Sequence, residues 1–369
     1  MKKIYLLLIF FVYYQLLCAS ELFINVHLID SLQLSITTQA SGFDIISGNK
    51  NSFVKSGMLK ISASSRNLQI NGTQYQNQII LKAKNLIAIN NTDYDGEIHL
   101  TVLDKKQIRV INRINIENYL ISVISAEMGG NSPLEALKAQ AVAARTMTIS
   151  MINNNKHAKD GYNLCSTTHC QVYKGTSVQT LTAMSAVKQT QGQILEFNGK
   201  HIEAFYSSHC GGITECSENL WRMKHEYLLS HIDSYCINKD LIPNWNQRNI
   251  NWERRFDKND IEYFFNVRKP TEMFISKRNE ASRAEAVTIK ASKEVVVNGQ
   301  YEIRNTFNLP STLFIIIKEG DNYIFVGNGY GHGVGMCQTG AIARANAGQD
   351  YREILRFYYT DLVKLEVRN

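Results

Sequence analysis

Proline is scarce here, four residues in 369, and no low-complexity tract is present. Past its first residues the chain therefore reads as folded, not disordered. No dense Lys/Arg block stands out, so a nucleic-acid-binding arm is unsupported, and no nucleic-acid partner is expected. The net charge of +7 is spread along the chain. It suits anionic wall polymers or lipid headgroups, and equally plain solubility. There is no internal repeat, no Ser-His-Asp arrangement and no zincin motif. The glycines lack the spacing, and the Lys-Ser/Thr, of a phosphate-binding loop. The N-terminal apolar run, Ile4 to Leu17, is shorter than the roughly 20 residues that span a bilayer.

That run follows Lys2 and Lys3 and ends in the small residues Cys18, Ala19 and Ser20. A basic start, an apolar middle and a small-residue exit make residues 1–20 a secretory signal peptide, with cleavage near Ser20 and an exported mature chain. The alternative is an uncleaved anchor. Leu17, bulky where lipoprotein signals carry a small residue, argues against lipidation at Cys18. Export places Cys165, Cys170, Cys210, Cys216, Cys236 and Cys337 where disulfides are permitted, and sequence leaves their pairing open.

Residues 21–93 form a β-rich N-terminal region. Ile24, Val26 and Leu28 alternate, and Asn71-Gly72 and Asp95-Gly96 are turn signals. No reactive constellation appears there. The pattern turns helical at Ile116. Asn115 can cap the helix, Ile114 can pack on Tyr119, and Leu120, Val123, Ile124 and Glu127 share one face. Gly129-Gly130 ends it. A second, alanine-rich helix should start at Ser132-Pro133, with Ser132 and Glu135 as a capping box. The fold class expected is α+β, mostly antiparallel strands around a 116–152 helical hairpin. Residues 94–365 form the main domain, with 237–320 as an insertion. Asn198-Gly199 and Asn298-Gly299 predict two further hairpins, and a closing helix runs from Gln338 to Ala347.

Glu127 is the sharpest chemical signal. It is a carboxylate on an apolar helix face, in the last turn. Burial and the negative end of the helix dipole both favour its protonated form, which a general acid needs. The structural alternative is an ion pair with Lys138 or Arg145. His157, Cys165, His169 and Cys170 could hold a metal ion, or Cys165 and Cys170 could be joined as a disulfide. Tyr206, Ser207 and Ser208 end a strand at Gly211-Gly212 and are candidates for ligand contact. Between Gly327 and Gly335 glycine recurs at every second position. That reads as a strand with one bare face for a polymer, His332 projecting from the other.

Together these segments resemble the SpoIID/LytB family. The resemblance rests on Ile116–Leu120, Ala126-Glu127-Met128, Glu135–Thr146, Thr168–Tyr173, Ser207-Ser208 with Gly211–Thr214, and Gly331–Met336, over residues 94–360. It implies a lytic transglycosylase that cuts between N-acetylmuramic acid and N-acetylglucosamine in peptidoglycan glycan strands stripped of stem peptides. Glu127 would be the catalytic residue. Tyr206, Ser207, Ser208, His332, Lys138 and Arg145 are substrate-binding candidates. The resemblance also implies structural zinc bound through Cys and His in the segment Cys165–Cys170, to which His157 could add a ligand, and an amidase partner of the SpoIIP kind in spore engulfment or division. A single carboxylate would act first as acid and then as base, which differs from the carboxylate pair of ordinary glycosidases. Two alternatives remain: a non-catalytic, wall-binding activator of an amidase, as the LytB branch was named, and a muramidase in which water replaces the 6-hydroxyl. Gly129 stands where many members have proline, and Cys337 where serine is common.

Overall fold

The computed structural model describes residues 21–367 apart from 65, 222 and 249; the segment read as a signal peptide lies outside them. The architecture is α+β with mostly antiparallel sheets, as expected. The N-terminal part is a two-sheet sandwich. Its six-stranded sheet supplies Leu34, Ile36, Leu59 and Ile61. Its seven-stranded sheet supplies Phe43, Ile45, Leu81, Ile98, Leu100 and Val110, and together they form one buried core. Period-two alternation puts these residues on inward faces. The Asn71-Gly72 turn joins Leu68–Ile70 to Thr73–Tyr75.

The sandwich continues through Ile108–Asn115, and that strand runs directly into the first helix, α1 (Ile116–Met128). The Asn115 side chain caps α1 by accepting the Glu117 N–H at 2.8 Å. Gly129 ends it with a φ of 78° that disfavours any residue with a Cβ. The second helix, α2 (Leu134–Asn153), differs from expectation at its start. Pro133, not Ser132, holds the cap position, and no side chain caps the helix. Ser132 Oγ instead donates to the Met128 carbonyl at 2.7 Å, closing the end of α1. Glu135 meanwhile pairs with Lys138 and accepts the Tyr351 N–H. The competing acceptor at the end of α1 takes the hydroxyl the capping box needed.

The alanines of α2 let other elements approach closely. Ala136, Ala139, Ala141, Ala143 and Ala144 are fully buried, and most join Tyr119, Leu120, Val123 and Ile124 of α1 in the central core. Arg145 is also buried here. It grips Glu117 through two hydrogen bonds, Nε at 2.9 Å and Nη2 at 2.6 Å, and donates to the Gln193 carbonyl at 3.1 Å.

A third core lies within residues 251–328, where Trp252, Phe307, Phe314 and Phe325 pack between two three-stranded sheets. The hairpin expected at Asn298-Gly299 is not formed. The Asn298 side chain accepts the N–H groups of Gln300 and Tyr301, which starts a helical turn over Gly299–Arg304. The Asn198-Gly199 hairpin is present, both residues taking positive φ.

Arg145→Ala should strand the half-buried Glu117 carboxylate and cost about 3–5 kcal/mol, read as a lower urea midpoint. Glu117→Gln combined with Arg145→Met should recover much of that loss, because neither residue then leaves a charge unpaired.

Candidate active site around Glu127

Three fully buried apolar side chains, Leu120, Val123 and Ile124, hold α1 against the core. The same helical face carries Glu127 one turn further on, to the edge of a pocket of about 220 Å³. Met128, Gly129, Ser208, Trp245, Asn246 and Gln338 line that pocket with it. Glu127 Oε1 accepts the Val172 N–H at 3.0 Å, and Oε2 faces the Gln338 amide at 3.4 Å. Burial pushes its carboxyl above the ordinary glutamate range. The Val172 and Gln338 hydrogen bonds and the charge of Lys174 oppose that shift without cancelling it. The Gln338 amide can turn either its NH2 or its carbonyl oxygen to Oε2, so it can partner the ionised and the protonated carboxyl alike. A carboxyl so placed, open to a pocket on one side, can give up a proton and take one back.

Val172 is fixed by the residue before it. Buried Gln171 donates to Thr148 Oγ1 of α2 at 2.7 Å and accepts the Tyr206 hydroxyl at 2.7 Å. Just upstream, His157, Cys165, His169 and Cys170 converge, each offering a ligand atom within 4.8 Å of the others. Individual separations are 3.3 Å for His157 Nε2 to Cys170 Sγ, 3.6 Å for Cys165 Sγ to His169 Nδ1, and 3.8 Å for Cys170 Sγ to His169 Nδ1. A tetrahedral ion with bonds of about 2.0–2.3 Å spaces its ligands by about 3.3–3.8 Å, so these donors fit one. His157 Nδ1 lies 3.1 Å from Asp160 Oδ2, the kind of partner that orients a histidine ligand. Cys165 and Cys170 are free thiols here. This set can hold a metal ion, and only Gln171 separates Cys170 from the N–H that holds Glu127.

The other sequence candidates divide. Ser208 lines the pocket. Tyr206 is half-buried and reaches the site through Gln171. Ser207 is buried against Gly331, and its hydroxyl has no hydrogen-bond partner among the described residues. Lys138 and Arg145 do not come to the pocket: Glu135 and Glu117 hold them. His332 stays outside it as well. Its ring stands 5.4 Å from Trp221, and its Nδ1 accepts the Val334 N–H at 3.0 Å. Burial and the nearby Arg304 and Arg283 push its pKa down to about 4, so it is neutral. Gln338, Trp245 and Asn246 were missed, since nothing local marks them; Gln338 opens the helix Gln338–Asn346 directly after the glycine segment.

The glycine segment also differs from expectation. Gly329, Gly331, Gly333 and Gly335 all take positive φ, so this is no flat strand with a bare face. A Cβ at Gly335 would strike the Phe205 carbonyl, one at Gly329 the His209 carbonyl, and one at Gly333 the Arg283 guanidinium. The protein's own backbone and side chains press on these glycines, and the bare face expected for a polymer is filled.

Two family models match the chain, "Stage II sporulation protein" (SpoIID) over residues 104–197 and a "Domain of unknown function" (DUF8618) over residues 245–335. Stage II sporulation protein D of Bacillus subtilis is 30% identical over 264 residues, 68% of this chain and 74% of that protein. The chain belongs to the SpoIID family. An uncharacterized protein of Brachyspira hyodysenteriae is 32% identical over 77% of this chain and 76% of its own length. The amidase enhancer of Bacillus subtilis is 31% identical over 82% of this chain, which spans only 48% of that longer protein. Glu127 and the His157–Cys170 cluster fall inside the SpoIID match; Trp245, Asn246 and Gln338 lie beyond it.

Gly335→Ala combines a left-handed backbone with a carbonyl clash, and should destabilise the chain by more than about 1 kcal/mol. Thermal melts of the variant and wild type measure it.

Proposed function

We propose that this SpoIID-family chain works on the bacterial cell wall as an exported lytic transglycosylase of peptidoglycan glycan strands. The observation that carries the reading is the environment of Glu127: a carboxyl raised by burial, held by one backbone N–H, and facing a pocket in which it is the one acid among the described lining residues. Ordinary glycosidases need two carboxyls. A lytic transglycosylase needs one, because the sugar supplies its own nucleophile.

In this mechanism the protonated Glu127 gives its proton to the glycosidic oxygen between N-acetylmuramic acid and N-acetylglucosamine. The C1–O bond breaks, and the N-acetylglucosamine hydroxyl leaves. Glu127, now a carboxylate, takes the proton of the muramic acid 6-hydroxyl as that oxygen bonds C1, giving the 1,6-anhydro product and restoring the acid. The Val172 N–H and the Gln338 amide stabilise the carboxylate while it waits for that second proton. Trp245, exposed at the pocket rim near Gly129, offers a flat apolar face for a sugar ring. The His157–Cys170 cluster would hold zinc as a structural ion, keeping Val172 in register with Glu127; the ion itself takes no part in the proton transfers.

Glu127→Gln keeps the shape and loses the proton. It should abolish anhydro-product release, measured by mass analysis of purified peptide-free strands, while glycan binding persists. Turnover near wild type would remove Glu127 from the mechanism. Undiminished stimulation of an amidase by that variant would favour the second reading, a wall-bound activator, which the amidase enhancer relative supports. The raised pKa also sets two pH effects. Cleavage should fall as pH rises through the Glu127 pKa, above the ordinary glutamate range. The neutral carboxyl's contribution to stability is full below the unfolded-state pKa and is lost as pH rises through the folded one. At neutral pH Glu127→Gln should therefore melt at no lower temperature than wild type.

Glycan stripped of stem peptides is the substrate class that family membership supports, which makes an amidase of the SpoIIP kind the partner acting first. Comparable anhydro-product release from intact sacculi and from amidase-treated strands would overturn that order.

A further inference from the structure

Behind the pocket lies a group of side chains that the proposed reaction does not use. Cys210, Asp233, Cys236 and Cys337 are all buried, and each offers one ligand atom within 4.8 Å of the other three. Cys210 and Cys236 bring their sulfurs to 3.2 Å, and Cys210 Sγ lies 3.7 Å from Asp233 Oδ2. The four come from three stretches of chain: the turn after Ser208, the segment 233–236, and the entry to the helix Gln338–Asn346.

Inert buried cysteines sit among apolar groups, whereas Cys236 and Cys337 are met by N–H donors. Cys337 Sγ accepts the N–H groups of Cys210 at 3.2 Å and Gly340 at 3.3 Å, and Cys236 Sγ accepts that of Gly212 at 3.2 Å. Cys337 is also the N-cap of the helix Gln338–Asn346. Asp233 is oriented from outside by the Tyr358 hydroxyl at 2.7 Å and the Arg344 guanidinium at 3.2 Å, as metal-binding carboxylates are. In a dry interior, three sulfurs and a carboxylate this close form a donor set that one cation can satisfy.

We propose that Cys210, Cys236, Cys337 and Asp233 form a second metal centre, distinct from the His157–Cys170 cluster, that holds one structural Zn2+. Four donors around a buried point leave no open coordination position, which is the structural form of a zinc site. A disulfide between Cys210 and Cys236 is the competing chemistry. It would use two of the three sulfurs and leave unexplained the N–H donors at Cys337 and the oriented Asp233. The metal draws on all four residues. Its role is mechanical: it ties the strand end at Ser208 to the start of the helix that carries Gln338, and both residues line the Glu127 pocket. The site stands independently of the reaction proposed above.

The test is a metal count on the full chain purified without chelator, together with peptide mapping under non-reducing conditions. We expect about two zinc ions per chain. Cys165→Ser with Cys170→Ser should leave about one, and adding Cys210→Ser should remove it. Cobalt loaded into the double variant should show strong thiolate-to-cobalt absorption, which the added Cys210→Ser weakens or abolishes. No zinc in the wild-type chain, or a single zinc that Cys165→Ser with Cys170→Ser removes from a natively folded chain, would overturn the proposal. So would a mapped disulfide among Cys210, Cys236 and Cys337, or a natively folded double variant that binds no metal.

Discussion

The hydrogen bond from the Val172 N–H to Glu127 Oε1 joins two parts of the chain built separately. On one side is α1, capped by Asn115 at the end of a sandwich strand, so that sheet and helix place the carboxyl together. On the other is the loop 165–174, which has little regular structure of its own. That loop is pinned by side chains: Gln171 to Thr148 and Tyr206, the Tyr173 hydroxyl to Asn112 at 2.7 Å, and the Lys174 N–H to Ser122 at 3.2 Å. A buried carboxyl needs a donor at a fixed distance, since a poorly met one would be costly. The packing of the loop on both helices follows from that need.

The two cysteine clusters serve the same constraint from opposite sides. The first stands two residues from Val172. Its strand, Leu164–Cys165, pairs in parallel with Phe23–Ser31 and so attaches the loop to the sandwich. The second stands next to Gln338, the other partner of Glu127. With an ion bound, each would cross-link backbone that no long helix or sheet holds. In the glycine segment the same problem is solved by close contact: Gly329 to Gly335 let residues 330–337 run against 205–215 through the Tyr206–Met336 and Ser207–Cys337 pairs and two further bridges. Side chains at the Gly329, Gly333 and Gly335 positions would break that contact.

The sequence by itself determined the pieces whose causes are local. Period-two alternation marked the sandwich strands, Asn-Gly pairs marked two of the tight turns, and helical spacing together with the Asn115 cap and Gly129 stop set α1 and put Glu127 on its buried face. The clustering of His157, Cys165, His169 and Cys170 within a short stretch was legible too, because those residues are close in the chain. Tertiary structure alone decided the rest. Gln338 lies 211 positions from Glu127, and the residues of the second cysteine cluster are spread from 210 to 337, so no window of sequence contains either arrangement. Arg145 looked like a free cation beside Glu127 until Glu117, on the same helix as Glu127, claimed it. The alternating glycines looked like a strand because spacing records side-chain size and says nothing of φ. Which carboxylate meets which partner, and which backbone presses on a glycine, depends on long-range packing that local pattern does not encode.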